Sequence, residues 1–156
     1  MTLKDEIRQT RAFGSLEQEA YLNLVRTAAM LSEGVERALK PAGLTASQYN
    51  VLRILNGTNE EGLCRNDVRD RMLTRMPDMT RLLDRMESSG LVARARGTED
   101  RRVVKTHITD AGRAALRKIE DAIAAEHKRS LGHLSRAELN TFIELLDAAR
   151  RTTTCE

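Results

Sequence analysis

The chain has 156 residues, of which 40% are hydrophobic, 31% charged and 3% aromatic, with no Trp. That length fits a single ordinary domain able to bury a core without metal or disulfide staples. The shortage of aromatics argues against a base-stacking surface for single-stranded nucleic acid, and no stretch approaches the ~18 apolar residues of a membrane span.

The two cysteines, Cys64 and Cys155, form neither a CxxC pair nor a metal-ligand pattern. With no apolar leader at the N-terminus, the expectation is a soluble, cytoplasmic protein in reducing surroundings. The net charge is only +3, but its placement is uneven. From Leu91 to Lys105 five basic residues (Arg94, Arg96, Arg101, Arg102, Lys105) stand against Glu99 and Asp100, so this segment alone carries +3. Focused positive charge is what a phosphate-contacting element needs. Charge alone, however, reads more simply as a solvated loop.

In chain order, residues 1–14 read as a frayed arm. Ser15 and Gln18 form a capping box, and Tyr21, Leu24, Val25, Ala28, Leu31, Val35 and Leu39 follow at helical spacing until Pro41 and Gly43 stop the helix. Thr45 and Gln48 form a second box, opening a helix with Tyr49, Leu52, Ile54 and Leu55 in its core set, ended by Gly57 and a turn over Asn59–Gly62. Leu63 leads into a short third helix ending near Met72, with Val68 and Met72 inward. Thr74 is the expected N-cap of a fourth helix. Pro77 belongs in a first turn, which places that helix start at Thr74–Met76. Met79, Leu82, Leu83 and Met86 make its apolar face, and Gly90 is its expected stop.

The period then changes to that of strands. Val92–Arg96 and Val103–Ile108 read as a hairpin joined through Gly97–Asp100. Thr109 caps a fifth helix carrying Leu116, Ile119 and Ile123. Ser135 and Glu138 form a third capping box for a last helix bearing Leu139, Phe142, Ile143 and Leu146. The expected fold is mainly α with a small β-wing, in the order α-α-α-α-β-β-α-α.

Short helices followed by a basic hairpin make a winged helix-turn-helix, in which the fourth helix reads the major groove. Its apolar face leaves Arg75, Asp78, Thr80, Arg81, Asp84 and Arg85 on polar sides. Arg75, Thr80 and Arg81 are the candidate groove contacts and Thr74 a candidate phosphate contact, although each is also what a solvated helix face carries. Arg94 and Arg96, along the hairpin, are further candidate DNA contacts. At its tip, Arg101 and Arg102 are suited to a narrow minor groove. Asp100, an acid beside phosphates, either orients Arg102 through a charge-assisted pair or fixes its own turn.

Three runs carry a family resemblance. Leu44–Leu55, Thr80–Val92 and Asp100–Thr109 followed by Gly112 are similar to the second helix, the recognition helix and the wing signature of MarR-family regulators, in that order, and the resemblance spans about residues 15–150. His107 and Ile108 depart from the family's usual pair. The resemblance implies a sequence-specific double-stranded DNA-binding regulator, commonly a repressor released by a small ligand. It also implies a two-fold homodimer, with residues 15–40 and 109–150 dimerising and 45–108 forming the DNA-binding lobe. The wing roles carry over to Asp100 and Arg102.

The apolar stripes of the first and last two helices agree with a dimer, since the small lobe cannot cover them. Two recognition helices about one DNA turn apart, ~34–36 Å, would then meet an inverted-repeat operator. Relatives bind aromatic acids or drugs in a cleft between the dimer helices and the lobe; Met30, Tyr49 and Arg53 are the candidates to line it. No cofactor is expected. His107, His127 and His133 lack the i, i+4 spacing of a helical metal pair. Cys64 reads as a small residue at a helix start rather than a redox sensor, though a metal- or redox-responsive regulator of the same fold stays an alternative. No nucleophile–base pair or phosphate loop argues for an enzyme. A winged-helix interaction module without operator specificity is the rival from another class.

Overall fold

Hydroxyl and carboxylate caps set most helix starts in the computed structural model, which describes residues 2–58, 62–96 and 103–151. Helix α2 (Leu16–Leu39) is capped by Ser15, whose side chain accepts from the Gln18 N–H. The Gln18 carboxamide accepts instead from the Gly14 N–H at 2.6 Å, so the box closes one residue early. Pro41 lies in a 3-10 turn (Lys40–Ala42) that ends α2. Helix α3 (Ala46–Asn56) has the full Thr45–Gln48 box, and Thr109 and Ser135 cap α6 (Asp110–Leu131) and α7 (Arg136–Arg151).

Three expectations need correction. The N-terminal arm is not wholly frayed: Leu3–Glu6 forms a short helix, α1, with a Thr2–Asp5 capping box, a buried Leu3 and a Glu6–Arg26 ion pair at 3.4 Å. Leu63–Cys64 is a strand, β1, so the third helix, α4, is confined to Arg65–Asp70. The recognition helix, α5, runs Met79–Ser88, not from Thr74. A residue before Pro is driven out of the helical region, and Met76 has no side-chain oxygen to cap with. Asp78 does, and accepts from the Arg81 N–H at 3.0 Å.

The sheet is antiparallel with order β1-β3-β2, where β2 is Val92–Arg96 and β3 is Val104–Ile108. Leu63 faces Thr106 and Val92 faces Ile108. The expected hairpin turn Gly97–Asp100 lies outside the described residues. Gly90 takes φ +72°, the left-handed stop of α5. At Gly112 any Cβ would sit 2.3 Å from the Leu91 carbonyl oxygen, so the start of α6 packs against the entrance of β2 only with glycine there.

The core lies where α3, α4, α5, the sheet and the first half of α6 converge. Leu52, Val68, Leu83, Met86, Val92 and Ile119 are all fully buried there. Outside it the picture changes. Helix α7 buries no residue, and α2 leaves Tyr21, Leu24 and Val25 exposed. Among the described residues no helix is long and apolar enough to cross a membrane.

Candidate nucleic-acid interface

On α5 the 3.6-residue period turns Met79, Leu82, Leu83 and Met86 inward, each of them buried. Thr80, Arg81, Asp84 and Arg85 therefore face out. Arg81 is 84% exposed in its side chain and 3.2 Å from the Asp78 carboxylate, one turn earlier. The Arg85 Nε donates to the Arg81 carbonyl at 3.3 Å. Thr80 Oγ1 accepts from Arg65 Nη1 of α4 at 3.2 Å, adding a cation to this face that periodicity had not singled out. Thr74 and Arg75 are exposed in the segment before α5, rather than in its first turn.

Arg94 is placed differently. Strand alternation puts it on the face of buried Val92, toward α5. Its Nε donates to Glu87 at 2.8 Å, its Nη2 to Glu87 and Asp84 at 2.6 Å each, and its backbone N–H to Glu87 at 3.1 Å. The Arg94 guanidinium accordingly holds the Glu87 carboxyl below its ordinary value. Arg94 is thus a clamp from the wing strand to the back of the recognition helix. Arg96 is exposed at the far end of β2, opposite Val104. Asp100, Arg101 and Arg102 lie outside the described residues.

A cleft of about 630 Å³ opens between α2, α3 and α6, with Leu73 and Thr74 also in its lining. Tyr49 and Arg53 line it as expected, and both also line a neighbouring hollow of about 410 Å³ with Asn56 and Arg113. Met30 does not. It is 52% exposed on another side of α2, whose Leu31 and Val35, i and i+4, turn to the cleft instead. Asn50, also in the wall, was not anticipated; its only sequence signal is a polar residue among the apolar positions of α3. Opposite, Arg129 and then Ser130 hold the Glu126 carboxyl down to about 2, at distances of 2.5–2.9 Å.

Cys64 is half-buried, its Sγ 3.0 Å from Asp67 Oδ2; Cys155 lies outside the described residues. Among those residues, no group of three or more His, Cys, Asp or Glu could hold a metal ion.

Comparison with known proteins agrees with this geometry. The MarR family's sequence model matches residues 42–103. The HTH-type transcriptional regulator YkoM of Bacillus subtilis is 30% identical over 142 residues, covering 88% of this chain and 91% of its own. A MarR transcription factor from Planctomyces limnophilus is 42% identical, with a TM-score of 0.65 over 88% of this chain and 99% of that one. The transcriptional repressor CouR, solved on a 23-mer DNA duplex, is 25% identical with a TM-score of 0.77 over 91% of this chain and 99% of its own. CouR from Rhodococcus jostii has also been solved with p-coumaroyl-CoA, at 26% identity and a TM-score of 0.74 over 88% of this chain and 95% of that one. The chain belongs to the MarR family of winged-helix transcription regulators.

Proposed function

We propose that this regulator is a homodimeric repressor that binds an inverted-repeat operator and is released when a small aromatic or phenolic effector enters the cleft. The observation that carries the DNA reading is the outward face of α5, where Arg81, Arg85 and Thr80 stand with Arg65 beside the wing. Thr80 and Arg81 read base edges, with Arg75 entering beside them. Thr74 and Arg96 meet phosphates, and Arg101 and Arg102, with Asp100 as positioner, enter the minor groove. Arg94 acts through its clamp on α5 rather than by touching DNA.

Residues 15–40 and 109–150 form the dimer and 45–108 the DNA-binding lobe. The uncovered apolar residues of α2 and α7 support this division, because a partner copy removes them from water. A repressor of this kind works beside the chromosome, in the cytoplasm, and needs neither catalysis nor a cofactor. The effector reading is supported by the cleft, with Tyr49 and Arg53 in its wall, and by the relative CouR, solved both with DNA and with p-coumaroyl-CoA.

The test is a titration of the purified protein against DNA upstream of its own gene, with scrambled DNA as control and salt varied. A complex of one dimer per site that prefers the native sequence and weakens steeply with salt is the expected result. Equal affinity for scrambled DNA, there and across a genomic selection, would overturn operator recognition.

A further inference from the structure

Arg65 is an exposed cation on α4 that the fold leaves without a carboxylate. It has no ion pair among the described residues. The acids of α4 and α5 are already engaged: Asp84 and Glu87 by Arg94, Asp70 by Arg69, and Asp67 by the Cys64 thiol. Arg65 turns instead to a neutral group, donating from Nη1 to Thr80 Oγ1 at 3.2 Å.

That bond limits what Thr80 can offer. Its oxygen accepts from a cation, while its O–H hydrogen meets no acceptor among the described residues. A hydroxyl held in this way is polarised toward donating and resists a second donor. In the major groove guanine shows O6 and N7, thymine O4 and adenine N7 as acceptors, whereas cytosine shows only its N4 donor. Three bases can take the Thr80 hydrogen, and cytosine cannot.

We infer that Arg65 is a positioning residue for base selection, bridging a DNA phosphate and the Thr80 hydroxyl so that Thr80 selects against cytosine. This rests on the groove reading of α5 proposed above and assigns specificity to one of its side chains. A hollow of about 470 Å³ between α5 and the wing gives the bridge its place, with Arg65, Asn66, Thr80 and Arg94 in its wall. Val103 and Val104, 38% and 44% exposed, supply an apolar side. One sugar–phosphate strand separates a helix in the major groove from a wing in the adjacent minor groove. That strand crosses the hollow, its sugars against the valines and a phosphate against the uncompensated Arg65. Without Arg65 the hydroxyl rotates and accepts from cytosine N4 as readily as it donates to the other bases.

The experiment selects binding sites for the full-length protein from a randomised duplex library, then measures affinity for each single-base variant of the preferred site at several salt concentrations. Thr80→Val keeps the shape, drops the hydroxyl and marks the position that Thr80 reads. Arg65→Met removes both the bond and the charge. Both residues are exposed, so both variants should fold; circular dichroism checks this, and Arg65→Gln stands in should Arg65→Met not fold. At the marked position the wild type should bind the cytosine variant roughly fivefold or more weakly than the best base. Arg65→Met should bring that ratio close to one there and nowhere else, and lower the salt slope by about one. In a Thr80→Val background it should leave base preference unchanged. An Arg65→Met protein weakened by the same factor at every base overturns the positioning role, leaving Arg65 a phosphate contact and the groove reading of α5 standing. Unchanged preferences in Thr80→Val overturn it likewise. Selection of no sequence by the wild type overturns both.

Discussion

The lobe around α3–α5 and the sheet differs from the helices α2 and α7 in how its apolar residues are covered. In the lobe, Val51, Leu52, Val68 and Met86 are completely buried by their own chain. On α7, Ile143 is 54% exposed and Leu145 64%, and on α2 Tyr21 is 65% exposed. Both regions carry helical apolar stripes of similar quality, so periodicity does not separate them. What separates them is enclosure. Elements of one chain surround the lobe, whereas α7 buries none of its residues. The closed core holds the lobe's shape by itself, and the exposed stripes of α2 and α7 are what the proposed dimer would cover.

The sharpest way to break this contrast is a truncation in each region. Leu52→Ala should lower unfolding stability by ~2–5 kcal/mol, because it leaves a cavity in a closed core; urea denaturation followed by circular dichroism reads it. A loss under 1 kcal/mol in that assay would mean that the lobe core is looser than its burial implies. The counterpart is the double change Tyr21→Asp with Ile143→Asp, which places charge on the uncovered face. It should raise the dimer dissociation constant about a hundredfold or more, ~3 kcal/mol, with each monomer still helical. Sedimentation showing an unchanged dimer would put the interface elsewhere.

Within the reading surface, Arg102→Ala should weaken operator binding by ~1–3 kcal/mol at fixed salt. Asp100→Ala combined with it should add little, since the acid is expected to act through that arginine. Additive losses in a fluorescence titration would give Asp100 a role of its own. The smallest effect concerns Glu126, whose carboxyl Arg129 holds at about 2. A depressed carboxyl stabilises the fold fully above its unfolded value of 4.5, and that contribution fades as pH falls from there toward about 2. A carbon-detected NMR titration should place the Glu126 midpoint near 2, and Arg129→Gln should move it upward. A midpoint that ignores Arg129→Gln would remove the ion pair as its cause.

Much of the architecture was legible because its signals are short-ranged. The Thr45, Thr109 and Ser135 caps act over three residues. Gly90 marks the end of α5 because its left-handed backbone excludes most other residues. The same locality explains the misreading at the start of α5. Thr74 and Pro77 together point to a start at Thr74–Met76, and the pairing of Asp78 with the Arg81 N–H moves it to Met79.

The candidate site divides along the same line. Thr80 and Arg81 were legible as outward positions because the apolar stripe of α5 fixes its rotation, and Tyr49 and Arg53 share a wall because they are four residues apart on one helix. Arg65 against Thr80, Arg94 against Glu87 and Asp84, and Asn50 against Leu73 were not legible, since each pairing joins residues on different elements. Strand β1 escaped for the same reason, because Leu63 becomes a strand only by lying beside Thr106.

By itself, then, the sequence determined the order of the six helices α2–α7, the inward face of α5, the basic wing and the family. Each follows from contacts within about one turn of helix or from runs of residues that stand together. Only the tertiary structure decided that Arg94 serves as a clamp, that Met30 lies off the cleft, and that Arg65 of α4 meets Thr80 of α5. Those outcomes depend on how separate elements pack, and close packing selects one partner among many that local preference leaves equal.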